Sequence, residues 1–250
     1  MRFDLVTIFP RLCEGPLGEG IVRRAIDRGL VDVRVHDLRD YTTDRHRSVD
    51  DVSYGGGPGM VFKPEPLFRA VDAIRGDDRV DAVVLTSPQG RRFTQREAER
   101  LAGLRRVVVL CGRYEGVDDR VRSALATEEL SVGDYVLSGG ELPALVIVDA
   151  VVRLLPGAVG DEASVELDSF SRGLLDYPHF TRPAEFRGLR VPDALLSGNH
   201  ADIRRWRKRE SLARTLALRP ELLLSAELDD EEREILRALK DERGADDGRD

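Results

Sequence analysis

Three apolar runs in this chain each stop at a glycine-bearing loop. Val83–Thr86 leads into Ser87-Pro88-Gln89-Gly90, and Val107–Cys111 leads into Gly112-Arg113-Tyr114-Glu115-Gly116. Leu130–Val132 leads into Gly133-Asp134-Tyr135-Val136-Leu137-Ser138-Gly139-Gly140. In an open α/β sheet, ligands bind just beyond the carboxyl ends of the strands. Glycine there lets backbone N–H and C=O groups approach a ligand closely. Three such loops near one another can build a single pocket. The spacing excludes two common nucleotide sites. There is no G-x-x-x-x-G-K-[ST] run, and Gly15, Gly18 and Gly20 do not have the G-x-G-x-x-G spacing after the first apolar run.

The pattern around these loops alternates strand and helix. Phe3–Phe9 predicts a strand, and Pro16–Arg28 a helix closed by Gly29. Val31–Val35 alternates as a half-exposed strand. A long loop, Arg39–Phe62, contains Tyr54-Gly55-Gly56-Gly57-Pro58-Gly59, and loops of that length in compact domains are usually functional or mobile. Helices are expected at Pro64–Arg75, Thr94–Leu101, Val117–Ala126 and Leu142–Leu155, with strands at Ala82–Thr86 and Val107–Cys111. Thr94-Gln95-Arg96-Glu97 has the form of a capping box. Val107–Cys111 is uniformly apolar, which places it centrally in a sheet. This βα alternation predicts an α/β fold with a largely parallel sheet.

After Gly157 the character changes. Residues 158–171 read as a linker, Leu174–Pro183 as irregular chain, and His200–Leu218 and Glu221–Leu239 as helices separated at Pro220. A second, helical domain is expected from residue 172 onward.

The 250 residues are 41% hydrophobic and 34% charged, the composition of a soluble globular chain. The start lacks a signal-peptide core, and the longest apolar stretch, Ala144–Leu155, is interrupted by Asp149 and Arg153. Cys13 and Cys111 lie far apart, and His36, His46, His179 and His200 are scattered, so neither a disulfide framework nor a metal site is expected. These features fit a cytoplasmic protein with no membrane partner. The net charge of −7 hides an asymmetry. Residues 227–250 hold eleven acids and five bases, while Arg204–Arg214 holds six bases and one acid. Phosphate binding depends on local clusters, so Arg204, Arg205, Arg207, Lys208 and Arg209 form a candidate nucleic-acid stripe. The bland reading is a solvated helix face anchored by Trp206. The tail reads as a charged helix, Asp230–Leu239, with a disordered end.

Seven segments together resemble the bacterial tRNA (guanine-N1)-methyltransferases. They are YGGGPGM (54–60), SPQG (87–90), GRYEGVD (112–118), GDYVLSGGELP (133–143), DSF (168–170), LLDYPHFTRP (174–183) and LSGNH (196–200), and the likeness spans Phe3 to about Leu218. The resemblance implies a deep trefoil-knotted (SPOUT-like) domain over residues 1–157. It also implies an interdomain linker at 158–171 and a smaller all-α tRNA-binding domain at 172–250, which ends in the acidic tail. It implies S-adenosylmethionine as methyl donor, held by Pro88, Gly90, Gly112, Glu115, Val132, Gly133, Asp134, Tyr135, Val136, Leu137, Gly139, Gly140 and Pro143. It further implies a homodimer with a composite active site, and the tRNA anticodon stem-loop rather than DNA as partner. Asp176, His179, Arg182 and Asn199, with Arg204–Arg209, are the candidate tRNA contacts. The family responds to magnesium, for which no ligands are assigned.

The chemistry sets two needs. Guanine N1 carries a proton that a base must remove, and charge then develops on O6. The resemblance puts Asp168 as the base and Arg153 as the stabilising cation. A carboxyl of ordinary pKa, about 3.9, is a weak base, so position must supply much of the effect. The plainer readings are an i,i+4 ion pair of Arg153 with Asp149, and a turn or cap at Asp168. The sequence departs from the family where Phe180 replaces a common tyrosine and where Leu85-Thr86 precedes the first loop. Two alternatives remain open: a knotted ribose 2′-O-methyltransferase, and a non-catalytic RNA-binding protein.

Overall fold

A computed structural model describes residues 1–76, 78–160 and 168–246. It divides into two compact units, Met1–Glu162 and Ala163–Asp250. In the first, β1 (Arg2–Thr7) is followed by α1 (Arg11–Leu17), α2 (Gly20–Asp27), β2 (Asp32–Asp37) and a 3-10 turn at Leu38–Tyr41. A short antiparallel pair, β3 (Asp50–Val52) and β4 (Met60–Phe62), precedes α3 (Pro64–Arg75). Then come β5 (Ala82–Arg92), α4 (Gln95–Ala102), β6 (Arg106–Cys111), α5 (Asp119–Ala124), β7 (Glu128–Ser131) and α6 (Glu141–Val152).

Among the described residues, five strands form one parallel sheet in the order β2-β1-β6-β5-β7. β6 is the middle strand and every residue of it is buried, as its apolar run predicts. Side chains alternate across the pleat, so Val107 and Val109 face one core while Val108 and Leu110 face the other. The first core packs the sheet on Ala25, Leu101, Ile147 and Val151 from the helices. The second packs it on Leu67, Val71 and Val121. The sheet is therefore covered on both faces.

Several local expectations change. The helix expected over Pro16–Arg28 is two helices. The Gly18 N–H closes α1 on the carbonyls of Glu14 and Gly15, Glu19 is extended, and Gly20 opens α2 at φ +67. Pro16 lies inside α1 rather than at a helix start. The Thr94 side chain makes no cap bond, and the Glu97 carboxylate, which would reach back to the Thr94 N–H in a capping box, binds Arg91 and Arg100. The segment Ser87–Gly90 is not the end of its strand. β5 bulges there and resumes, so that Thr86 and Arg91 both pair with Leu130.

The second unit carries β8 (Glu185–Phe186), β9 (Leu189–Arg190), α7 (Asp193–Leu196), α8 (His200–Leu218), a 3-10 turn at Pro220–Leu224 and α9 (Asp230–Asp246). Leu174, Leu212, Ile235 and Leu239 form its core. It is mainly helical but not all-α, since β8 and β9 make an antiparallel hairpin. The helix expected over Glu221–Leu239 starts only at Asp230, and it continues to Asp246 rather than giving way after Leu239. Residues 161–167 of the expected linker, and 247–250 of the tail, lie outside the described residues. No helix among the described residues is long and apolar enough to cross a membrane.

Candidate active site

The bulge of β5 and the carboxyl ends of β6 and β7 meet at a cavity of about 270 Å³. Backbone proximity builds it. The Gly140 N–H donates to the Gly112 carbonyl at 2.8 Å, and Gly139 pairs with Arg113 in an isolated antiparallel bridge. A Cβ on Gly140 would stand 2.1 Å from Thr86 Oγ1 and 2.8 Å from Cys111 Cα. Only glycine lets the third loop close on the second at that point.

Of the residues expected around the cofactor, Pro88, Gly112, Glu115, Val132, Gly133, Tyr135, Val136, Leu137, Gly139, Gly140 and Pro143 line this cavity. Gly90 and Asp134 do not. Gly90 ends the bulge of β5 just before the strand resumes, where a Cβ would run 2.6 Å from the Glu129 and Leu130 backbone. Asp134 is exposed and forms an ion pair with Arg92. The glycine-rich segment 54–60 docks on the second loop. The Glu115 N–H donates to the Met60 carbonyl at 3.0 Å, and Gly59, at φ +85, lies where a Cβ would meet the Glu115 carboxylate.

A buried ionic group beneath the loops was not anticipated. Glu141, 1% exposed, accepts from Thr7 Oγ1 at 2.6 Å and from Arg113 Nε and Nη2 at 3.1 Å. The Arg113 guanidinium also lies 4.3 Å from the centroid of the Phe9 ring. Nearby, burial and the Glu141 charge push the Cys13 thiol up to about 11, and burial drives the Cys111 thiol well above its ordinary value. Neither thiol is a nucleophile at neutral pH. Among the described residues no group of three His, Cys, Asp or Glu side chains has metal-binding spacing.

The two expected catalytic residues belong to different units. Arg153 caps the carboxyl end of α6, its N–H donating to the Asp149 carbonyl at 3.2 Å. Asp168 opens a turn in the second unit, its carbonyl accepting from the Ser171 N–H at 3.3 Å and Ser171 Oγ at 2.7 Å.

The expected tRNA contacts separate into two groups. Asp176 holds His179 at 2.7 Å, His179 packs on Tyr177, and Arg207 lies over the Tyr177 ring at 4.9 Å. This segment is fastened to α8 by Leu175, whose N–H donates to Thr215 Oγ1 at 2.9 Å. Arg182, Arg204 and Arg205 are exposed. Trp206 is half-buried against Phe180. Asn199 instead caps α8 by accepting from the Ala201 N–H at 3.0 Å. Lys208 pairs with Asp229 and Glu231, each at 2.7 Å, and Arg209 pairs with Glu242 at 3.0 Å. The acidic tail therefore neutralises part of the basic stripe.

A parallel sheet covered on both faces, with a backbone-walled pocket on one side of its strand ends, defines an open α/β protein, and ligands bind at such crevices in that class. The pocket motifs, the DSF turn and the basic helix narrow that class. The chain belongs to the tRNA (Guanine-1)-methyltransferase TrmD family, whose model matches residues 1–225. It is 52% identical over 242 residues to the tRNA (guanine-N(1)-)-methyltransferase of Geobacter sulfurreducens, covering 97% of this chain and 99% of that protein. It is 54% identical over 241 residues to that of Pelotomaculum thermopropionicum, covering 96% of each chain. With that of Geobacillus kaustophilus the identity is 51%, over 97% of this chain and 100% of the relative. The matches to these relatives run past Leu218 and take in part of the acidic tail.

Proposed function

We propose that this chain transfers a methyl group from S-adenosylmethionine to N1 of the guanine at tRNA position 37, next to the anticodon. The observation that carries the proposal is the glycine-closed cavity between the β5 bulge and the ends of β6 and β7 in a chain of this family. The donor fits it. Gly139 and Gly140 let the third loop close on the second to wall the cavity, Val132, Val136 and Leu137 supply apolar lining, and backbone groups of residues 132–140 and 112–115 suit an adenine edge and a ribose. When bound, S-adenosylmethionine supplies an electrophilic methyl group on a cationic sulfonium.

The chain's own residues do the rest. Asp168 accepts the N1 proton of guanine as N1 is methylated, and Arg153 meets the charge that develops on O6. The complete site is a composite built in a homodimer, as the resemblance of the sequence implies. Arg182, Arg204, Arg205 and Arg207 bind the anticodon stem-loop by stacking and phosphate contact. Residues 1–157 form the trefoil-knotted domain of the SPOUT class. Support comes from the return of the chain after β7, where Gly139 and Gly140 close on residues 112–113 before α6 packs back on β1 and β6. Residues 158–171 link it to the tRNA-binding unit, and the reaction takes place in the cytoplasm with its tRNA. Magnesium is assigned no ligand.

The test uses unmodified tRNA transcript and methyl-labelled S-adenosylmethionine, with Asp168→Asn for comparison. Label is expected on N1 of the guanine 3′ of the anticodon, located by mass spectrometry after digestion. A loss of about 10²-fold or more in Asp168→Asn, with donor binding retained, is the expected signature of a missing general base. Label on a ribose would overturn the substrate assignment, and no label with both ligands bound would make the chain a binding protein.

A further inference from the structure

The donor is a cation, yet two arginines, Arg113 and Arg122, line the cavity proposed for it. Arg122 is met by Glu129 at 3.2 Å. Arg113 is met from below by Glu141, through both carboxylate oxygens. We infer that Glu141 is a positioning and charge-balancing residue: it fixes Arg113 and the second glycine loop against the third, and cancels the Arg113 charge beside a site that accepts a sulfonium. The inference rests on the assignment of S-adenosylmethionine to this cavity.

Three observations support it. Glu141 is 1% exposed and is not part of the cavity wall, so it acts through Arg113 and not by touching a ligand. Its carboxylate joins three separated parts of the chain: the end of β1 through Thr7, the second loop through Arg113, and its own position directly after Gly139-Gly140. The close fit is reciprocal, since a Cβ on Gly139 would stand 2.5 Å from both Arg113 Nε and Glu141 Oε2. A buried ion pair is weak evidence for stability, because desolvation offsets most of the attraction. Here the pair sits where three elements must be held in register, and where one uncompensated positive charge would oppose the ligand.

Glu141→Gln keeps the shape and an acceptor for Thr7 but leaves Arg113 positive. The readout is the ratio of the dissociation constants of S-adenosylmethionine and S-adenosylhomocysteine, measured by calorimetry on the full-length protein. The two ligands differ at the sulfur, cationic in one and neutral in the other. At an effective dielectric of about 20, Glu141→Gln is expected to weaken the cation by about tenfold more than the neutral product. The double variant Glu141→Gln with Arg113→Met removes both charges and is expected to restore the unsubstituted ratio, even where both affinities fall. Equal weakening of both ligands in the single variant, with its thermal transition retained, would overturn the charge-balancing role. If the single variant does not fold, the double variant decides: a ratio shifted against the cation despite the loss of Arg113 would refute the inference. Failure of the unsubstituted protein to bind either ligand would instead overturn the assignment of the cavity.

Discussion

Gly140 shows how one absent methyl group sets the site. Its φ is ordinary, −82, so the requirement is space and not an unusual backbone conformation. An added Cβ would collide with Thr86 Oγ1 and with the backbone of Cys111 and Gly112. Backbone cannot swing aside as a side chain can. Gly140→Ala is therefore expected to cost about 1–3 kcal/mol in unfolding free energy and to abolish S-adenosylmethionine binding in calorimetry. Gly15→Ala is the control, because nothing lies within 4 Å of a Cβ there. Unaltered donor binding by Gly140→Ala would show that the loops separate freely. Glycines of this kind are legible in a sequence, since the loop pattern advertises close approach. Glu141 is not. Its partners Arg113 and Thr7 lie 28 and 134 residues away, and a carboxylate in the first turn of a helix reads simply as a favourable end charge.

At the scale of elements, α8 and α9 share one set of charges. α8 turns Leu212 and Thr215 inward and keeps Arg204, Arg205 and Arg207 exposed. α9 and the residue just before it cover Lys208 with Glu231 and Asp229. The basic stripe was legible as composition, but its division into exposed and neutralised cations depends on where the tail folds. Asp229→Asn with Glu231→Gln frees Lys208. This double substitution is expected to tighten tRNA binding about threefold at low salt and to steepen the salt dependence by up to about one unit in log–log slope. An unchanged slope would assign Lys208 to holding the tail alone. The strands and most helices were legible because the sheet is buried on both faces and its apolar runs are long. The division between α1 and α2, and the lost cap at Thr94, were decided by competing local partners that spacing does not rank.

At the scale of the whole molecule, Asp4, Glu97 and Asp229 are carboxylates held ionised by cationic partners. Burial acts to raise the Asp4 carboxyl, but hydrogen bonds from His36 and Arg2 outweigh it and hold it below its ordinary value of 3.8. Arg91 and Arg100 hold Glu97 below 4.5, and Lys208 holds Asp229 below 3.8. A carboxylate depressed in the folded state contributes stability that is present above its unfolded value and lost as pH falls through the folded one. Stability is expected to decline from about pH 4.5 downward, once Glu97 and then the aspartates take up protons in the unfolded chain. Asp4, with no exposed side-chain surface, meets Arg2, His36 and Arg106. Asp4→Asn is expected to cost about 3 kcal/mol at pH 7, with the difference from the unsubstituted protein shrinking below pH 3.8 in denaturant unfolding. A difference constant with pH would make shape, not charge, the contribution of Asp4.

The bulge in β5 has a consequence for how a ligand meets the chain. Residues 87–90 leave the sheet after Thr86 and rejoin it at Arg91, both ends pairing with Leu130. A wall anchored at both ends has few alternative shapes, so its ordering is completed when the protein folds. Occupation of the cavity then need not freeze that segment, and more of the contact energy remains as affinity.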